Sequence, residues 1–315
     1  MDEQIMRDRI DKELLNNYDN SLGFDLAHLD TFKPETDKLE VENLKDDPAV
    51  HIYEKIIPSS NGAPDIKIRI YEPAFRGTEL LPCGLFFHGG GFLFGSVYRQ
   101  NDMCLRYVKN VGMMIISVEY RLAPEYKAPA PIEDAYSALV WLDKSGINIG
   151  ADTSRIAIIG LSAGGCVTAA LALMTRDRNG PMPVLQIPMY AMLDNSADTF
   201  SQHAITSEKV WCYNYSKIAW DLYNDKNTIP DYYTAPLLAE NLSGLPPVFS
   251  YIGTLDPFLD ENIEFWNKLI RAGVPVEYHI FPGCYHSFEV AVPDSTYGKM
   301  AYELTYSALK RAFDI

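Results

Sequence analysis

The chain has 315 residues, 47% of them hydrophobic and 12% aromatic, enough apolar material for one large buried core. A formal net charge of −15, with no compensating cluster of Lys and Arg, argues against nucleic acid as a partner and disfavours strongly anionic substrates. Acidity of this kind reads as a surface built for solubility.

Met1–Ile10 is charged and lacks the apolar stretch of a secretory signal, and nowhere does the chain reach the roughly eighteen consecutive apolar residues of a membrane span. Five cysteines, Cys83, Cys104, Cys166, Cys212 and Cys284, are odd in number and irregularly spaced, which predicts reduced thiols and a cytoplasmic location. As far as residue 45 the chain is polar and helix-compatible, with Ile5, Ile10, Leu14 and Leu15 forming one apolar stripe of a peripheral helical piece. Val50–Ile57 and Ile66–Ile70, either side of the turn signal Pro58-Ser-Ser-Asn-Gly62, predict an antiparallel pair. Short apolar runs follow at Gly84–Phe87, Met114–Val118, Ile156–Ile159, Val184–Ile187, Val248–Ile252 and Val276–Phe281. Several are separated by segments of helical period, with helices expected at 131–144, 162–176, 259–272 and 296–313. That alternation predicts an α/β fold whose mostly parallel sheet is buried on both faces.

A parallel sheet holds its ligands outside the carboxyl ends of its strands, so the chemistry is expected directly after each run. Gly160-Leu-Ser-Ala-Gly164 links the run 156–159 to a helix through one tight turn, which lifts Ser162 out at the top of the sheet as a candidate nucleophile. A side chain at Gly160 or Gly164 would collide with the adjacent strand or helix, while Ala163 still offers its amide to an oxyanion. After Phe87 comes His88-Gly-Gly-Gly-Phe92, whose Gly89 and Gly90 amides supply two further oxyanion donors, each worth roughly 3 kcal/mol of barrier in acyl transfer. A phosphate-binding loop is rejected by spacing, because G-x-G-x-x-G counted from Gly89 needs glycine where Phe94 stands. His88 reads as a residue that fixes this loop.

A neutral serine hydroxyl needs an imidazole to take its proton, and the imidazole needs a carboxylate to set its tautomer. His286 follows the last run and Asp256 the run before it, giving the order Ser, Asp, His expected of an elbow hydrolase. His28, His51 and His203 fall outside the strand ends, and His279 lies within a strand. Rivals for the acid are Asp194, Asp260 and Glu261, the last two at the start of a predicted helix where carboxylates serve as caps.

Together His88-Gly-Gly-Gly91, Glu119-Tyr-Arg-Leu-Ala-Pro-Glu125, Gly160-Leu-Ser-Ala-Gly-Gly165, Asp256-Pro-Phe-Leu-Asp260 and His286 resemble the hormone-sensitive-lipase-like family of α/β-hydrolases, over residues 50 to 315. The resemblance implies an α/β-hydrolase fold and a carboxylesterase of short acyl esters needing neither metal nor cofactor. Its triad would fall on Ser162, Asp256 and His286, and its oxyanion hole on Gly89, Gly90 and Ala163. It also implies a helical cap, here 1–45 and 190–233, over a core of 46–189 and 234–315. The insertion is rich in aromatics, Phe200, Trp211, Tyr213, Tyr215, Trp220, Tyr223, Tyr232 and Tyr233, expected both to pack the cap and to wall the substrate. Two positions depart from the family: Leu161 stands where Asp or Thr is usual, and Ser287 where Gly is usual. Arg121 and Glu125 read as structural. An amidase such as an arylformamidase would use the same apparatus, and a non-catalytic receptor of this fold would lack the histidine. The partner expected is a small-molecule ester, with a homodimer allowed by the exposed sheet edges.

Overall fold

The structure is a computed structural model that describes residues 3–60, 62–225 and 229–315. Residues 1 and 2, Asn61 of the predicted turn and 226–228 of the predicted insertion lie outside the described residues.

Every apolar run read above becomes a strand: β1 (Val50–Ile57), β2 (Ile66–Pro73), β3 (Leu81–Phe87), β4 (Met114–Val118), β5 (Ala151–Leu161), β6 (Leu185–Met189), β7 (Val248–Leu255) and β8 (Val276–Tyr285). They form one sheet in the order β1-β2-β4-β3-β5-β6-β7-β8. β1 and β2 pair antiparallel from Val50↔Pro73 to Ile57↔Ile66, and β2 also meets β4 antiparallel. From β4 to β8 every pairing is parallel. β4 and β6 are buried along their whole length, as continuous apolar runs must be when helices cover both faces. β5 starts at Ala151 rather than Ile156; the added residues 152–155 are partly exposed and polar, so no apolar pattern announces them.

The helices are α1 (Glu3–Arg9), α2 (Leu15–Asn20), α3 (Leu29–Glu42), α4 (Asn101–Val111), α5 (Ala130–Ser145), α6 (Ala163–Asp177), α7 (Phe200–Ala204), α8 (Tyr213–Tyr223), α9 (Leu259–Arg271), α10 (Phe288–Ala291) and α11 (Thr296–Phe313). α5, α6, α9 and α11 occupy the four predicted segments. α4 was not expected, yet Met103, Cys104, Tyr107, Val108 and Val111 recur at helical spacing, and Gly112 ends the helix at φ +75° in the left-handed region. The N-terminal stripe is interrupted. The chain turns between α1 and α2, where Asp11 N–H donates to the Gly283 carbonyl, and Met6 is buried while Ile5 faces solvent. No helix among the described residues is long and apolar enough to cross a membrane.

Arg121 holds the loop after β4 against α5. Its backbone N–H donates to Asp134 at 2.8 Å and its guanidinium forks onto both oxygens of that carboxylate, which is 1% exposed. Glu125 is exposed. Asp134→Ala leaves this guanidinium without its partner, and loss of a buried charge partner costs about 3–5 kcal/mol. Urea denaturation of the variant checks the value.

Candidate active site

Ser162 sits between β5 and α6 at φ +57° and ψ −118°, a backbone conformation costly for any residue with a Cβ. The turn is kept there from several sides. Ser162 N–H donates to the Met189 carbonyl, and its own carbonyl accepts from Cys166 and Met192. The flanking glycines are required sterically: a Cβ on Gly160 would lie 2.1 Å from the Gly164 carbonyl oxygen, and one on Gly164 would lie 2.2 Å from that of Phe87. β3, β5 and α6 thus touch backbone to backbone, and only Gly permits the approach.

His286 follows β8 directly, and Asp256 follows β7. The register of the two strands, with Leu255 opposite Tyr285, sets the carboxylate beside the ring. His286 Nδ1 lies 2.7 Å from Asp256 Oδ2, and His286 Nε2 lies 2.9 Å from Ser162 Oγ. Asp256 is 1% exposed and its other oxygen accepts from the Phe258 N–H at 2.9 Å. A buried carboxylate at Nδ1 favours the tautomer that leaves Nε2 free to accept the serine proton.

The rival acids lie elsewhere. Asp194 closes a turn by accepting from Ser196 N–H and Oγ–H, and Asp260 accepts from Ser201 N–H. Glu261 does not cap its own helix; it is fully buried and accepts from Leu193, Asp194 and Gln202. Burial pushes its carboxyl well above the usual range. With Asn262, which bonds both N–H and carbonyl of Ala191, it fixes the chain leaving β6. Sequence reasoning assigned neither residue this work.

On the other side of Ser162 the loop 88–92 turns over the elbow. A Cβ on Gly89 would stand 3.6 Å from the Ser162 Cβ, so the Gly89 backbone passes directly beside that serine. Gly90, at φ +130°, receives Leu93 and Phe94 amides on its carbonyl. Among the described residues none of the amides of Gly89, Gly90 and Ala163 donates to a loop or turn carbonyl. His88 anchors the loop: its ring stacks on Tyr120 at 4.3 Å, Nδ1 meets the Gly89 carbonyl at 2.9 Å, and Tyr120 Oη–H donates to the His88 carbonyl. Burial pushes this imidazole down to about 3, so it stays neutral.

A cleft of about 220 Å³ opens above Ser162. Asn17, Ser21 and Phe24 of the N-terminal segment wall one side, and Val210 and Trp211 another. The two segments are joined by the Tyr18–Ser207 hydroxyl bond at 2.8 Å, by Ser21 Oγ–H donating to the Lys209 carbonyl, and by Phe24 packing on Trp211 and Tyr215. Of the eight aromatics noted in 190–233, Trp211 alone lines this cleft. Tyr223 stacks on Phe92 at 3.9 Å with Trp220 beside it, while Phe200 is exposed, so the expected wall is instead Trp211 with Phe24 and Phe94 from outside the insertion.

A family model described as the alpha/beta hydrolase fold matches residues 84–290, more than half of the chain. The chain belongs to the α/β-hydrolases. It is 36% identical to the esterase LipI of Mycobacterium tuberculosis over 226 residues, which cover 68% of each chain. It is 33% identical to the carboxylesterase NlhH of the same species over 281 residues, 84% of each. Among solved structures it superposes on a bacterial heroin esterase with a TM-score of 0.92 and 30% identity, over 97% of this chain and 98% of that one. The resemblance drawn from the motifs therefore holds at the level of family and fold.

In this α/β-hydrolase the two departures lie at the cleft. Leu161 is buried and lines it, replacing a polar neighbour of the serine with an apolar wall. Ser287 occupies the left-handed region at φ +59°, where Gly carries no Cβ penalty. Tyr190 and Glu289, packed against His286 from outside the cleft, escaped the sequence reading altogether. The available signal was an acid inside the apolar stretch Phe288-Glu-Val-Ala-Val292.

Proposed function

We propose that this protein is a serine carboxylesterase that cleaves short-chain acyl esters through an acyl-enzyme. The observation that carries the reading is the unbroken line Ser162 Oγ, His286, Asp256, buried and facing an apolar cleft beside three backbone amides. Relatives named esterase and carboxylesterase support it.

In this mechanism Ser162 Oγ attacks the ester carbonyl while its proton passes to His286 Nε2. The carbonyl oxygen becomes an oxyanion held by the amides of Gly89, Gly90 and Ala163, and Asp256 stabilises the imidazolium. His286 returns the proton to the departing alcohol, leaving the acyl group on Ser162. A water then gives a proton to the same imidazole as it attacks the acyl carbonyl, and His286 passes that proton to Ser162 Oγ as the acid leaves, restoring the serine.

Residues 1–45 and 190–233 serve as the cap in this reading, because they supply the walls that exclude water above Ser162. Trp211 is the specificity wall. Its indole N–H donates to Ser216 Oγ at 3.1 Å, and its ring covers Gly91 so closely that a Cβ there would sit 2.3 Å away. A wall so fixed admits short acyl chains. Turnover of p-nitrophenyl esters is expected to fall from acetate and butyrate to octanoate and to be negligible for palmitate, with chelator present throughout. Trp211→Ala removes a whole indole and is expected to raise the octanoate-to-acetate ratio of kcat/KM by at least about tenfold, the low end for even one methylene of pocket space. A wild-type rate that climbs beyond eight carbons rejects the short-chain reading; turnover of formamides in place of esters assigns the same residues to an amidase.

The five buried, unpaired cysteines support a reducing cytoplasmic setting. Tyr278 and Ile280 are partly exposed on β8, the sheet edge at which we place a homodimer; the sedimentation mass of the native protein decides it.

A further inference from the structure

A carboxyl with no part in the chemistry above lies behind His286. Glu289, on α10 one turn beyond the histidine, is fully buried. One of its oxygens accepts from the Tyr190 hydroxyl, and the Tyr251 hydroxyl stands close enough to help hold its charge. Tyr190 stands at the end of β6 with φ +33°, a strained setting held by its N–H bond to the Tyr251 carbonyl. Its ring meets the His286 ring edge-on at 4.9 Å and 75°. The groups that face the carboxyl are Tyr190, Tyr251 of β7, Tyr107 of α4, Tyr302 of α11, Cys284 of β8 and His286 itself. Among these only His286 can carry a positive charge.

We propose that Glu289 is a positioning residue for ester hydrolysis: through Tyr190 it fixes the surface against which His286 packs, and as a carboxylate it stabilises the imidazolium formed in each transition state. Its effect on rate rests on the esterase reading above; its coupling to His286 does not. Asp256 is hydrogen-bonded to the ring, whereas Glu289 acts across the buried Tyr190 side chain, where a charge is poorly screened. Loss of solvation pushes this carboxyl up to about 7, with the Tyr190 hydroxyl, its own backbone N–H, the Tyr251 hydroxyl and, least of all, His286 pulling the other way. Glu289 is therefore neutral in acid and negative above neutrality.

The test pairs an NMR titration of the His286 imidazole with the pH profile of p-nitrophenyl acetate hydrolysis, in wild type, Glu289→Gln and Tyr190→Phe. Glu289→Gln keeps the shape and removes the charge. Its imidazole is expected to take up a proton at lower pH than in wild type, as loss of a nearby negative charge requires. At pH 8 its kcat is expected to fall about fivefold with KM little changed, since the lost interaction strengthens only as the imidazolium forms. Tyr190→Phe keeps the ring and removes the donor, so the carboxyl ionises later and the acid-side step of the profile moves to higher pH; this variant carries the test alone if Glu289→Gln does not fold. An imidazole titration and profile unchanged in both variants, with wild type active on esters, overturn the proposal and leave the esterase reading standing. A shifted imidazole in a protein that cleaves no ester upholds the coupling and overturns the esterase reading.

Discussion

Ser162→Ala is expected to lower kcat for p-nitrophenyl acetate by about 10⁴- to 10⁶-fold, because removing the nucleophile of an acyl-transfer triad leaves only binding and the oxyanion donors. The fold should survive. The Ser162 hydroxyl is held by His286 Nε2 alone, whereas the bonds that keep the turn, to Met189, Cys166 and Met192, all come from backbone atoms that alanine retains. Alanine at φ +57° bears the same Cβ strain that serine already bears. Thermal unfolding followed by circular dichroism should therefore agree with wild type while the stopped-flow burst of p-nitrophenol disappears. A variant that keeps more than about one per cent of wild-type kcat would remove Ser162 from the role of nucleophile, since triad deletions cost far more than that.

The second large effect is expected at a residue that touches no substrate. Gly164→Ala places a methyl 2.2 Å from the Phe87 carbonyl oxygen and 2.5 Å from that of His88. Neither obstacle can rotate away, because both are backbone, and the His88 carbonyl is also clamped by the Tyr120 hydroxyl at 2.6 Å. β3 and α6 must part to admit the methyl, and overpacking of this kind costs about 3 kcal/mol or more. The displaced stretch continues into Gly89 and Gly90, so kcat is expected to fall about 10²- to 10³-fold through misplaced oxyanion donors. Gly112→Ala is the control: its φ is +75°, but a Cβ there meets nothing within 4 Å. That change should cost only about 1 kcal/mol from the backbone conformation, with kcat intact. Urea denaturation and kcat together separate the two cases. Gly164 lies in α6 without a positive φ, so equal losses for the two glycines would show that β3 and α6 yield to the methyl and that collision does not govern the elbow.

Residues such as Ile115, Ile158 and Ile187 belong to runs whose burial on both faces leaves a continuous apolar stretch, so the strands were legible. The elbow was legible because its glycines are local: Gly160 and Gly164 answer to carbonyls a few residues away or on the adjacent strand. What escaped depends on long-range contact. Glu261 and Asn262 occupy the first turn of α9, where capping is the local expectation, yet they bond to Ala191, Leu193 and Asp194 across the fold. Nothing within nine residues of Glu289 in the chain predicts its bond to Tyr190, 99 positions away. The aromatic set from 200 to 233 misled for the same reason. Helical spacing shows that Trp220 and Tyr223 share a face but not that Phe92 covers it.

The N-terminal segment that walls the cleft is also fastened to the far end of the chain. Asp11 N–H donates to the Gly283 carbonyl, Tyr285 Oη–H to Asn17 across 268 positions, and Thr296 donates twice to Glu13 across 283. Contacts of such separation form late, because a long loop must close before they give any return. Phe24 and its neighbours dock on Trp211 and Tyr215, so what the far end adds is His286 itself and the bonds that hold Asp11, Glu13 and Asn17. A chain without the stretch from Tyr285 to Thr296 therefore keeps Ser162 but loses both its imidazole partner and three of the bonds that pin the wall of the cleft.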